Sequence, residues 1–227
     1  MNYDTSWHKY SVKHEGAGYV DFRYREIIDV IRSIFKQPSH APYIVYTPQK
    51  DYREENSVRT RIYSEAYTAR RWEQLQVKFI NIGHFVIPID VGSDETFQTN
   101  FSGDKNIWPM TTSVMNIPTP YRNKIVTAAW RLLALLPIRP KRASKKSVDD
   151  EKTSALQTVQ AVLDLVLRDL RKLWITGMEV LCPDGKIRIG HPVLFSWLGD
   201  YPEFTKLFTT SYMSCPVCMA SAEEMAS

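Results

Sequence analysis

Cysteine is scarce. The 227-residue chain has three, Cys182, Cys215 and Cys218, too few for a closed disulfide framework. The opening residues, MNYDTSWHKY, hold no apolar signal region. Together these absences lead us to expect a reducing compartment, nuclear or cytoplasmic, and no secretion. Long hydrophobic runs are missing too. The apolar stretch 132–138 contains Pro137 and is far short of a membrane span, so no membrane partner is expected. Internal repeats are not visible. Neither sign of charge dominates: 29 Lys and Arg face 25 Asp and Glu, for a net charge of +4. The isoelectric point near 8.9 fits a nucleic-acid partner without demanding one. What is present is ordinary for a globular chain. Hydrophobic residues make up 44% and charged residues 24%, enough to bury a core and to set disorder aside. The length suits one large domain, or one domain with a small appendage.

Along the chain, residues 1–17 are polar and aperiodic and read as a loose leader. From Phe22 the pattern turns helical, with Phe22, Ile27, Ile28, Ile31, Ile34 and Phe35 broadly on one face and Gln37-Pro38 as the stop. Residues 41–48 read as extended and 57–77 as a charged helix, so residues 1–80 are predicted to form a helical N-terminal region. The middle changes character. Residues 85–91 are an apolar, strand-like run ending in the turn Gly92-Ser93-Asp94. Residues 107–117 read as a second strand and 126–138 as a third, although the Ala and Leu of the third also favour a helix. A basic-then-acidic linker (139–150) leads to the clearest helix, residues 153–174. There Leu156, Val159, Leu163, Val166, Leu167 and Leu170 recur at steps of three and four, and Gly177 closes the helix. Residues 178–182 and 186–189 form a hairpin around Pro183-Asp184-Gly185. The last apolar segment, 191–198, delivers Asp200. Strands, a long helix and a further strand imply an α/β (mixed α+β) fold with a mixed sheet.

Asp94 and Asp200 each follow an apolar run, where such folds place their chemistry. Brought together, two carboxylates repel unless a divalent cation neutralises them, and ions so held support phosphodiester cleavage. The competing reading is structural: acids after strands are commonly turn or cap residues, and Asp200 before Tyr-Pro-Glu could cap a helix. Asp184, in Pro-Asp-Gly, reads as a turn residue. Asp90 interrupts an apolar strand and is expected to face outward. Cys215-Pro-Val-Cys218 is half of a tetrahedral zinc site, or a redox pair, or two idle thiols. Cys182, His191 or His84 could complete a site in space, but no spacing requires it.

Several blocks carry a family resemblance in the same order: HAPYIVYTP, VIPIDVGSDETFQTNFSGDKNIWPMTTSVMNIP, a strand ending in Leu-Pro, MEVLCPDGKIRIGHPVLFSWLGDYPE, and CPVC. From about Phe22 to Cys218 the chain resembles the Plavaka transposases of fungal genomes, relatives of the CACTA-type cut-and-paste transposases. The resemblance implies an RNase H-like catalytic core using Mg²⁺ or Mn²⁺, with Asp94 and Asp200 as metal-binding catalytic acids. It also implies transposon-end DNA as partner, self-association, and a zinc-binding insertion that begins with Cys215 and Cys218. The implied organisation is a helical region at 1–80, a partial RNase H-like core at 81–212 and the start of the zinc insertion at 213–227. Departures exist. Glu95 and Phe97 stand where the family usually has Lys and Gln, and Asp90 replaces an apolar strand residue. The third acid and the remaining zinc ligands are expected beyond residue 227. The chain therefore reads as a transposase fragment that is inactive alone and binds Zn²⁺ weakly. The alternative is a domesticated, non-catalytic DNA- or protein-binding module. It would use Arg139, Lys141, Arg142, Lys145 and Lys146 of the linker, together with the cluster Arg70, Arg71 and Trp72.

Overall fold

The computed structural model describes residues 5–14, 18–79, 83–99, 105–138, 148–210, 215, 217, 218, 220 and 222–225. The chain opens with the antiparallel strands β1 (His8–His14) and β2 (Gly18–Tyr24), followed by α1 (Ile27–Phe35). A separate two-stranded hairpin, β3 (Asp51–Glu55) and β4 (Val58–Ile62), precedes α2 (Arg70–Gln76). Next come β5 (His84–Ser93), the small pair β6 (Thr96–Thr99) and β7 (Lys105–Ile107), β8 (Pro109–Val114), α3 (Thr119–Arg122) and β9 (Arg131–Leu135). The remainder is α4 (Val148–Thr176), β10 (Met178–Leu181), β11 (Ile187–Leu198), α5 (Tyr201–Leu207) and α6 (Ala222–Met225).

Seven strands form one sheet in the order β1-β2-β9-β8-β5-β11-β10. β5, β8 and β9 are successive antiparallel neighbours, and β11 returns parallel to β5 after the crossover through α4. Three antiparallel strands, a helix, and a fourth strand beside the first is the order expected of the beginning of an RNase H-like core. β5 is buried along nearly its whole length, as a strand covered on both faces must be. Its odd-numbered residues Phe85, Ile87, Ile89 and Val91 share a core with Ile27, Ile31 and Ile34 of α1 and with Val159, Val162, Val166 and Leu170 of α4. Gly177 ends α4 in the left-handed region (φ +72°), its N–H bonding to Leu173 O at 2.8 Å.

The N-terminal region departs from the sequence reading. Residues 8–14 are not a loose leader but an edge strand of the main sheet. Phe22 and Tyr24 lie on β2, and the helix starts only at Ile27. The apolar spacing is two up to Tyr24 and three-to-four after it, and the two periods together mimic one helical face. Within 57–77 the only α-helix is α2; the rest is β4 and 3-10 turns. Residues 41–48, read as extended, form turns and irregular chain. The ambiguous 126–138 segment resolves into a short strand after a 3-10 turn at Ile125–Thr127 and Ala128 at φ +48°.

Candidate functional site

β5 and β11 run parallel as far as the pair Gly92↔Leu198, with one register shift between Leu194 and Ser196, so the chain leaves both strands at the same sheet edge. Asp94 is the first residue after β5, and Asp200 the second after β11; both are exposed. Asp200 is the N-cap of α5, its Oδ1 accepting from the Glu203 N–H at 2.8 Å. The capping reading of Asp200 is therefore realised. It occupies one carboxylate oxygen and is compatible with a ligand on the other.

One residue joins the two acid-bearing strand ends, and sequence reasoning assigned it no role. Glu203, 2% exposed, accepts hydrogen bonds through Oε1 from Ser93 Oγ and from Trp108 Nε1 (2.8 Å). Trp197 Nε1 donates in turn to Ser93 Oγ at 3.0 Å. The residue preceding Asp94 is thus clasped by the residue three after Asp200. The available signal was the Glu at N3 of a helix opening with Asp-x-Pro-Glu, although its side chain bonds across to β5 and β8 rather than back to its own cap. Glu95, which stands where the family usually has Lys, is paired with Lys206 of α5 at 2.7 Å and accepts from Asn106 at 2.9 Å. Burial acts to raise the Glu95 carboxyl, but those two hydrogen bonds outweigh it and hold the group below its usual value.

Asp90 does not face outward. It is 1% exposed and ion-paired to Arg122 of α3 at 3.2 Å, while Ser196 Oγ donates to its other oxygen. A charge placed in the sheet centre needs such partners. Burial pushes the Asp90 carboxyl up, against the pull of Ser196 and Arg122; burial likewise draws the Arg122 guanidinium down, against the charges of Asp90 and Glu65. Asp184 is the turn residue anticipated. It receives two hydrogen bonds from Arg188 (2.8 and 2.6 Å), which hold its pKa at about 2.

Cys215 Sγ accepts from the backbone N–H groups of Val217 and Cys218, both at 3.4 Å. These bonds, with a further one from Cys218, lower the Cys215 thiol, as suits a thiolate ligand. The residues considered as completing ligands lie elsewhere. Cys182 is buried just before the start of β11, at the other end of that strand from α5. His84 and His191 stack on each other near the starts of β5 and β11, with Nδ1 and Nε2 2.9 Å apart. Burial lowers the His191 imidazole, against a hydrogen bond with the Trp174 carbonyl. Among the described residues, no group of three or more His, Cys, Asp or Glu side chains is arranged to hold a metal ion.

The basic linker residues Arg139, Lys141, Arg142, Lys145 and Lys146 lie outside the described residues. The cluster at 70–72 is only partly a surface. Trp72 is fully buried, Arg70 Nε donates to Tyr63 OH at 2.6 Å, and Arg71 lies over the Phe195 ring at 5.5 Å.

The family model described as Plavaka transposase covers residues 1–227, the whole chain. No curated protein and no solved structure matches. Among the described residues, no helix is long and apolar enough to cross a membrane.

Proposed function

The chain belongs to the Plavaka transposase family, and from that premise we propose that it carries the acid-bearing part of a metal-dependent DNA-cleaving core, with Asp94 and Asp200 sharing one divalent cation. The observation that supports this reading is the pairing of β5 with β11. These parallel neighbours, paired as far as Gly92↔Leu198, end on the same side of the sheet, each two residues before an aspartate. Two exposed carboxylates are hard oxygen donors of the kind Mg²⁺ and Mn²⁺ take, so the residues fit the ion the family implies. A bound divalent ion would supply charge neutralisation and an activated water for phosphodiester chemistry. The chain's own contribution is positional. Asp200 is fixed by the first turn of α5, Ser93, the residue before Asp94, is held against Glu203, and the Glu95–Lys206 pair removes a competing negative charge from the loop.

A transposing complex cuts only when its metals are fully held. Two carboxylates, with no third protein ligand beside them among the described residues, leave most of an octahedral shell to water. The chain alone therefore binds DNA and a weakly held cation without cutting. Cys215 and Cys218, with their backbone N–H···S bonds, supply half of a Zn²⁺ site. Incubating the chain with supercoiled plasmid and Mn²⁺ tests this: no nicking is expected. Cleavage abolished by Asp94→Ala or Asp200→Ala would show instead a self-sufficient active site.

A further inference from the structure

The β1–β2 hairpin extends past the sheet it belongs to. β2 pairs with β9 only through Arg23↔Leu135 and Tyr24↔Ala134, leaving Gly18–Phe22 and their β1 partners beyond the end of β9. β9 and β5 are both antiparallel to β8, so β9 ends on the side where β5 and β11 end. The overhang is five residues, roughly 16 Å at strand rise, and it stands at the edge that carries Asp94 and Asp200.

The hairpin's two faces differ sharply. Tyr10, Val12, Phe22 and Tyr24 form the inner face, packed through Phe22 and Tyr24 into the core. The outer face follows the other parity, with cross-strand partners Lys9↔Arg23, Ser11↔Asp21 and Lys13↔Tyr19. Beyond the paired residues, Arg25 stacks over the Trp7 ring at 4.4 Å. That face bears four cations, Lys9, Lys13, Arg23 and Arg25, against one anion, Asp21. Asp21 is bonded within the face to Lys9 and Ser11. Lys13 and Arg23 are exposed and have no carboxylate partner among the described residues. Tyr19 is 72% exposed and Trp7 37%. Cations spaced along a ribbon, interleaved with exposed aromatic rings, complement a phosphate backbone. They fit an acidic protein surface less well, since such an interface would bury the rings against apolar partners at its centre.

We propose that the outer face of the β1–β2 hairpin contacts the backbone of duplex DNA and lays it across the Asp94–Asp200 edge. This rests on the DNA-acting reading above and names the surface through which that reading operates. Contacts to phosphate carry no sequence information and position the duplex, so the effect of removing them is on salt dependence rather than on sequence choice.

The test is equilibrium binding of the full chain to a 30-base-pair duplex across a salt series. Compared with the wild type are the double variant Lys13→Gln/Arg23→Gln and the control Arg171→Gln/Lys172→Gln, which removes the same charge from exposed positions near the end of α4. Retained circular dichroism shows that each variant is folded. The hairpin variant should bind more weakly, with the slope of log affinity against log salt reduced by about two, roughly one per lost phosphate contact. The control should keep the wild-type slope. If the wild type shows no salt-dependent binding, the DNA-acting reading and this surface both fall. If the wild type binds and the hairpin variant matches it in slope and affinity, or the control loses as much, the surface is wrong and the DNA-acting reading stands.

Discussion

At the residue scale, the positions that broke local rules mark where the fold has spent its polar groups. An aspartate in the middle of a buried strand has two resolutions, an outward face or a buried partner, and a single sequence does not distinguish them. Arg122, 32 residues downstream in a four-residue helix, decides for the partner. Removing one member of such a pair strands the other in the interior, which costs far more than removing both. Arg122→Met is therefore expected to destabilise the chain by about 3–5 kcal/mol. Asp90→Val combined with Arg122→Met should recover most of that loss. Urea unfolding of the two variants checks this; equal losses in single and double variants would show that Asp90 is held by Ser196 and the sheet, not by the arginine.

At the scale of elements, the middle and end of the chain were the legible part, for a physical reason. β5, the β10–β11 hairpin and α4 each carry one unbroken period or one turn with strong chemistry. Examples are the three- and four-residue recurrence in α4, closed by Gly177, and the Asp184-Gly185 turn with Arg188 behind it. The N-terminal 80 residues were illegible where two periods abut at Arg25-Glu26, and where β1 is stabilised by pairing with β2 rather than by any pattern of its own. The link between α5 and β5 was equally hidden, because it joins residues 110 positions apart. Glu203 gives that link a test. Glu203→Ala removes the acceptor for both Ser93 and Trp108 and leaves a buried indole N–H unpaired, a loss of roughly 2–4 kcal/mol. Glu203→Gln keeps an oxygen in place and should cost about 1 kcal/mol. Hydrogen exchange should show the α5 amides losing protection in the Ala variant while those of β8 and β9 keep theirs. Unchanged α5 protection would mean that this helix is docked by other contacts, such as Gln160 with the Leu207 carbonyl.

At the scale of the whole molecule, the strand order converts distance in sequence into adjacency. Asp94 and Asp200 are 106 positions apart, and only the parallel return of β11 beside β5 places both at one edge. Motif resemblance singled out the two residues; the long helix between them, readable from periodicity, supplied the crossover that a parallel pair requires. What a motif could not show is the scaffold beneath the acids, with Trp108 and Trp197 hydrogen-bonded into the Ser93–Glu203 junction. Those two indoles also provide the most direct measurement of the central claim, that Asp94 and Asp200 share one cation. Tb³⁺ is an oxygen-seeking ion whose emission is sensitised by nearby tryptophan, and Mg²⁺ or Mn²⁺ should compete it away. Titrating the wild type, Asp94→Asn, Asp200→Asn and the double variant forms a double-mutant cycle. A shared site predicts that either single substitution abolishes most of the sensitised emission and that the second adds almost nothing. Independent, additive losses from the two substitutions, or wild-type emission that neither one changes, would contradict it.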